Sequence, residues 1–330
     1  MNKLHAKSTC CRGQVIRFGC RRRQCSVCKK TWRIRVKKTG RKAKRVSENM
    51  ALAYFKHEIP SLLSWSRKLK QKPDLLEYKL KQSRKYLLKK VSFPALPTKG
   101  PLVALADAMV QYLDGTCWTF YIILIKNTEK SWAFLTMPHV RKGTETVIGW
   151  KEAFQLLPTK TFKAIRVLVS DGHAGLVNLA KNEGWLLQRC HFHLIARLQS
   201  RRSKWRLSRH RKEGIQLYKL VRQVLTNPKE EEIYPVLESL KSAGERASSW
   251  ELKTTLLGFC RHYQDFRTYL NYPEFNLPRT NNALESLIGS IRAINRRARG
   301  FRTIGSLTEW VVAFLKSKQK VTCRGVYQPS

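Results

Sequence analysis

Acidic side chains are scarce in this chain: 22 Asp and Glu stand against 65 Lys and Arg, a net charge of +43 over 330 residues. A compact body with that imbalance repels itself unless a polyanion offsets it, and an ordinary solvated surface mixes both signs. Also missing is any run of 18 apolar residues, which excludes a membrane-spanning helix. The opening residues, MNKLHAKSTCCRG, lack the apolar centre of a secretory signal. No repeat of fixed period appears. With 42% hydrophobic residues the chain is not disordered throughout, and its length suits two or three folded units. The expectation is a soluble protein of the cytoplasm with no membrane partner. Nine cysteines, an odd number, are then expected as thiols or metal ligands rather than disulfides.

The charge is uneven. Residues 1–100 carry 29 basic and 4 acidic side chains, and residues 21–46 hold thirteen Lys or Arg with no acid. Neutralising phosphates and releasing their counterions is the main use of such a segment. Arg21, Arg22, Arg23, Lys29, Lys30, Arg33 and Arg35 are the candidate DNA contacts. Among them lies Cys25-x-x-Cys28, followed by Trp32; a CxxC knuckle sets two thiolates on one tight turn, as tetrahedral zinc requires. Cys10 and the adjacent Cys11 stand about a dozen residues before it, and His5 or Cys20 offers a fourth ligand. Residues 1–35 are therefore expected as a zinc-ribbon-like unit with a structural Zn²⁺. Residues 36–98 are expected as a basic helical DNA-binding region, either a helix-turn-helix or a plain bundle.

After FPALPTKG the pattern changes to strands. PLVALADAMV and CWTFYIILI flank QYLDGT, whose Asp114-Gly115 suits a hairpin turn. SWAFLTMP makes a third strand, a helix follows near residues 145–157, and AIRVLVS, HAGLVNLAKNEG and WLLQR read as strand, helix and strand. This is an α/β pattern on one mixed sheet. Residues 196–275 read as helical throughout.

The few acids in apolar surroundings stand out. Asp107 interrupts LVALADAMV, where a carboxylate costs desolvation unless something positive pairs with it. Asp171 ends the next long buried strand. If those strands are neighbours the two converge and form a hard oxygen site for Mg²⁺ or Mn²⁺. Otherwise Asp107 pairs with an arginine and Asp171 caps the helix that follows. In NNALESLIGSIRAINRRARG, Leu284, Leu287, Ile288 and Ile291 form an apolar stripe with Glu285 beside it. Arg292, Arg296 and Arg299 continue on Glu285's side, as a metal ligand above a phosphate track or as a solvated helix face.

These residues resemble the DDE transposases of the Mutator-like group, encoded by bacterial insertion sequences and their eukaryotic relatives. Asp107 in LADAM, Asp171 in VSDGH, Cys190-x-x-His193 in RCHFH and Glu285 in NNALESLIGSIR carry the resemblance, in that order and separated by 64 and then 114 residues from Asp to Asp to Glu. The resemblance implies an RNase H-like core over residues 99–195 and 276–330, interrupted by the helical insertion 196–275. It implies that Asp107, Asp171 and Glu285 are catalytic and hold two Mg²⁺ or Mn²⁺ ions. Cys190 and His193 would organise the active-site region, while His191, on the apolar side of its helix with Leu194 and Leu198, reads as a core residue. The implied function is binding the terminal inverted repeats of an insertion sequence in a prokaryotic cytoplasm, strand cleavage, and transfer of the 3′-OH into target DNA by a homodimer or larger assembly. The alternatives are a DNA-binding regulator derived from a transposase and a metal-dependent nuclease.

Overall fold

The computed structural model describes residues 11–18, 22–33, 62–204, 211–248, 250–297 and 301–324. The chain divides into two compact units, Met1–Val46 and Ser47–Ser330. In the first, β1 (Val15–Arg17), β2 (Arg22–Cys25) and β3 (Thr31–Arg33) form a three-stranded antiparallel sheet. The turn between β2 and β3 carries Cys28, and the Cys11 sulfur lies 3.3 Å from that of Cys25.

The first described elements of the second unit are α1 (Leu62–Leu69) and α2 (Pro73–Lys90). Pro73 at the first turn of α2 loses no hydrogen bond, because that N–H has no partner inside a helix. Two long strands follow, β4 (Leu102–Leu113) and β5 (Thr116–Asn127), paired over their whole length. Asp114 and Gly115 both have positive φ, 46° and 72°, as the two-residue turn between right-twisted strands demands. Then come β6 (Trp132–Leu135), β7 (His139–Lys142), α3 (Val147–Gln155), α4 (Thr159–Ala164), β8 (Ile165–Ser170), α5 (Ala174–Asn182) and β9 (Leu186–Arg189). The helices α6 (His191–Lys204), α7 (Arg211–Thr226), α8 (Glu230–Glu245), α9 (Trp250–Arg261) and α10 (Tyr263–Asn271) follow, then α11 (Asn282–Arg297), α12 (Ile304–Lys318) and β10 (Lys320–Thr322).

The mixed sheet has the order β10-β6-β5-β4-β8-β9, with β7 paired to the other half of β5. β8 runs parallel to β4 and to β9, and the remaining pairs are antiparallel. Residues 119–126 of β5 are all buried, as expected of a strand covered on both faces. One face packs Tyr121, Ile123 and Leu168 against Trp150 and Phe154 of α3 and Leu176 of α5. Gly149 lets α3 come this close, since a Cβ there would stand 2.2 Å from the Tyr121 ring.

Helices α6 to α10 hold a core of their own around Leu198, Leu217, Val221, Ile233, Leu240, Leu256 and Phe259. Gln188 of β9 ties this helical block to the sheet edge. Its amide donates to the Phe266 carbonyl at 3.1 Å and accepts from the Tyr269 N–H at 2.8 Å. Helix α2 lies in the same compact unit, with Lys316 of α12 donating to its Leu88 carbonyl at 2.8 Å. Strands β7 and β10 add to the three antiparallel strands expected from the sequence. HVRK and KVT are too short and polar to announce themselves, and their pairing comes from β5 and β6.

Candidate active site

Three elements bring acidic side chains to one end of the sheet. Leu105 of β4 sits opposite Val169 of β8 in a parallel register. Asp107, two residues further along β4, and Asp171, just past the end of β8, therefore lie at the same end of the sheet. The alternation that buries Val103 and Leu105 therefore also aims Asp107. Its Oδ1 accepts the Ala108 N–H at 2.8 Å. Asp171 sits in the turn after β8, where Oδ1 accepts the His173 N–H at 2.9 Å. It is not the cap of α5: His173 is, its Nδ1 accepting the Gly175 N–H at 3.1 Å.

Glu285 arrives on the first turn of α11. The anchor is Asn281, fully buried just before that helix. Its side-chain N–H donates to the Ala106 carbonyl at 3.1 Å, and its backbone N–H donates to the Cys190 sulfur at 3.0 Å. One residue thus joins α11 to β4 and to the β9–α6 junction. The same junction is held to β8 by the Cys190 N–H, 2.7 Å from the Ser170 carbonyl.

Asp107, His193 and Glu285 each offer a ligand atom, all within 4.8 Å of one another. His193 Nε2 lies 2.7 Å from Glu285 Oε1. Asp171 is outside this tight group but close enough for its charge to bear on Asp107. Burial raises the Asp107 pKa to about 8, helped by its hydrogen bond to Glu285 and by repulsion from that carboxylate. The Glu285 pKa is lowered, first by its bond to His193. His193 is pushed up to about 10, by the Cys190 sulfur first and Glu285 second, against the effect of burial. A proton on Asp107 and the imidazolium of His193 thus offset negative charge that a bound cation would also offset. Among the described residues Asp107 pairs with no arginine.

His191 occupies the core. It is 4% exposed, and its Nε2 meets the Phe266 carbonyl at 2.6 Å. Burial depresses its pKa from 6.5 to about 4. Its unfolded form therefore takes up a proton first as pH falls. Its contribution to stability is complete above pH 6.5 and lost as pH falls towards 4, a difference of roughly 3 kcal/mol. An NMR titration of the histidine ring protons should show His191 still neutral at pH 5; a midpoint near 6.5 would contradict the burial argument.

Arg292 and Arg296 are exposed on α11, and Arg292 is near enough to lower the Glu285 pKa. In the first unit Arg22, Lys29 and Lys30 are exposed, Arg23 is half-buried and Arg33 lies on β3. Cys10, Arg21, Arg35 and Arg299 lie outside the described residues. The close sulfur group is Cys11, Cys25 and Cys28, with ligand atoms within 4.8 Å of one another.

Two residues at the site escaped the sequence reading. Asn281 had one weak signal, a pair of Asn before a helix. Glu145 had none: its carboxylate accepts the Trp150 indole N–H at 2.7 Å and lies 3.3 Å from His173. Burial raises its pKa, and the Asp171 charge adds to the rise.

No helix among the described residues is long and apolar enough to cross a membrane. No curated protein matches the chain. Residues 133–321, more than half of its length, match the family described as Transposase, Mutator family. The matched stretch takes in Asp171, Cys190, His193 and Glu285 and begins after Asp107. With that match the chain belongs to the Mutator family of transposases.

Proposed function

We propose that this transposase cleaves DNA at the ends of its own element, a bacterial insertion sequence, and joins the freed 3′-OH to target DNA. Asp107, Asp171 and Glu285 are its catalytic acids. The observation that carries this reading is the gathering of Asp107 and Glu285 around His193, with Asp171 near enough for its charge to bear on Asp107. The sheet order and the late helix bearing Glu285 support an RNase H-like core with residues 196–275 as its insertion.

The donor set fits hard divalent cations, being rich in carboxylate oxygens. Asp107, Asp171 and Glu285 would hold two Mg²⁺ or Mn²⁺ ions. When bound, such ions supply Lewis acidity to the attacking and leaving oxygens of an in-line displacement at phosphorus. The chain's own residues do the rest. Asp107, whose carboxyl burial favours in the protonated form, would release that proton to solvent in order to hold a cation. His193 holds Glu285 by its Nε2 contact, while Cys190 and Asn281 hold the start of α11, so the acid stands in place before DNA arrives. Arg292 and Arg296 give the DNA backbone a cationic track leading from Glu285. No side-chain nucleophile is required, because water or the 3′-OH attacks.

His193 is a positioning residue. His193→Ala is expected to shift the Mg²⁺ titration of cleavage 10–100-fold to higher concentration. His193→Gln, which keeps a donor, should recover part of the shift. An unchanged Mg²⁺ requirement would contradict the role.

Cys11, Cys25 and Cys28 would hold a structural Zn²⁺ in a ribbon that locates the element's ends, with a fourth ligand from Cys10, Cys20 or His5. Metal analysis of the purified protein should find about one zinc per chain, lost in Cys25→Ser. Zinc content unchanged by that substitution would remove the ribbon. Joining two ends requires at least a dimer on DNA, in the cytoplasm of a prokaryotic cell.

The test is purified protein with labelled terminal duplexes, with and without Mg²⁺, followed by a target plasmid. Mg²⁺-dependent nicking and strand joining are expected. Nicking without joining would leave a nuclease, and binding alone would leave a regulator.

A further inference from the structure

His173 follows Asp171 by two residues, and both line one concavity that His193 and Arg189 share. Among the described residues its ring is held along one edge only. There Nδ1 accepts the Gly175 N–H at 3.1 Å, which caps α5, and lies 3.3 Å from Glu145 Oε1. Glu145 is itself fixed by the Trp150 indole N–H at 2.7 Å. Gly175 lets the ring lie so close, since a Cβ there would stand 3.1 Å from Nδ1 and 3.3 Å from Cε1. At the other edge Nε2 has no partner among the described residues and does not belong to their buried, unpaired atoms. The side chain keeps 28% of its surface exposed.

These contacts fix what Nε2 offers. In the neutral ring Nδ1 is the acceptor for Gly175, so the single ring hydrogen sits on Nε2. In the charged ring Nδ1 gives its hydrogen to Glu145, and Nε2 carries one as well. Nε2–H is therefore a donor in either state, on a ring whose position is set before any ligand arrives. A cap alone needs no such group, because Ser, Thr, Asp or Asn serve a helix start with a shorter side chain. A spare N–H beside an acid of the site suits an anionic oxygen, and in DNA that oxygen belongs to a phosphate. The scissile phosphate faces the acids themselves, and His173 stands two residues on from Asp171. We propose that His173 Nε2–H donates to a non-bridging oxygen of the phosphate next to the scissile one, and so fixes the strand's register at the acids. This rests on the catalytic reading of Asp107, Asp171 and Glu285.

The test compares the full-length protein with His173→Asn, whose Oδ1 can still accept the Gly175 N–H but whose side chain stops short of the Nε2 position. The probes are labelled terminal duplexes in which a methylphosphonate replaces one phosphate at a time around the cleavage point. Each replacement removes the charge and one non-bridging oxygen. In Mg²⁺, His173→Asn is expected to cleave the unmodified duplex about 10–100-fold more slowly, the cost of one lost donor. One flanking methylphosphonate should slow the wild-type protein by a similar factor. The same probe should slow His173→Asn by less than about twofold further, because the bond is already gone. At the other positions the two proteins should be slowed alike. In Ca²⁺, where binding is read without cleavage, that position should show the same coupling in affinity.

A His173→Asn protein that cleaves at the wild-type rate overturns the proposal and leaves His173 a helix cap. Should that variant fail to fold by circular dichroism, His173→Ser, which also forms a cap, takes its place. A wild-type scan in which no flanking methylphosphonate slows cleavage overturns the proposal without either variant. Wild-type cleavage with no coupled position removes the role of His173 and keeps the catalytic reading. Coupling in Ca²⁺ without any cleavage in Mg²⁺ does the reverse.

Discussion

Replacing Asp107, Asp171 or Glu285 singly by Ala is expected to lower cleavage of terminal DNA at least about a thousandfold, as the loss of metal-held transition-state charge implies. Binding of the same DNA should change by less than about threefold, because phosphate affinity comes from cationic side chains. The three variants should not fail alike in stability. Asp107→Ala removes a carboxyl that burial raises to about pKa 8, and whose cost of ionisation the fold otherwise bears as pH rises. Its folded pKa lies above the ordinary 3.8, so the wild-type site loses stability as pH rises from about 4 to 8, and the variant does not. Glu285→Ala strips His193 of its 2.7 Å partner and leaves an imidazolium short of charge. Single-turnover cleavage and filter binding check the first pair of expectations, and melting against pH checks the others. Cleavage surviving in Glu285→Ala would remove the third acid from the account.

Arg267→Leu is expected to destabilise the protein by about 3–5 kcal/mol, from carbonyls left unpaired and a buried cation removed from its cradle. Arg267 is 1% exposed and pairs with no acid among the described residues. Its guanidinium instead donates to the carbonyls of Val224 at 2.5 Å, Asn227 at 2.6 Å and Pro228 at 3.5 Å. Those carbonyls close the C-terminal end of α7, where the helix presents partial negative charge and lacks internal donors. The fork of a guanidinium serves several acceptors at once; a lysine ammonium on one flexible stem does not. Arg267→Lys should therefore remain destabilised, by less than Arg267→Leu. Urea unfolding of the three proteins gives the comparison, and a loss below 1 kcal/mol for Arg267→Leu would contradict it.

The parts of the molecule legible in its sequence are those in which neighbours along the chain do the work. The β4–β5 hairpin follows from two apolar runs around Asp114-Gly115, and β8 from an unbroken apolar run. The placement of His191 in the core followed from helical spacing with Leu194 and Leu198. Cys-x-x-His spacing marked Cys190 and His193, but not that one sulfur would take the Asn281 N–H from 91 residues away. Nor could spacing show that the same Asn281 would reach Ala106, 175 residues away. Glu145 escaped notice because its surroundings in the sequence are polar, and only the fold places it near Asp171 and under Trp150. Adjacent Cys10 and Cys11 are equivalent at the level of spacing. The turn that brings one sulfur to Cys25 is a property of the folded loop.

The central claim is that three acids meet around divalent cations at the end of one sheet. Crystals of the protein with a terminal duplex, grown in Mn²⁺ and measured at the manganese absorption edge, test it directly. The account predicts anomalous peaks bounded by the carboxylates of Asp107, Asp171 and Glu285. Peaks elsewhere, or a DNA-bound structure in which these three side chains point apart, would contradict it.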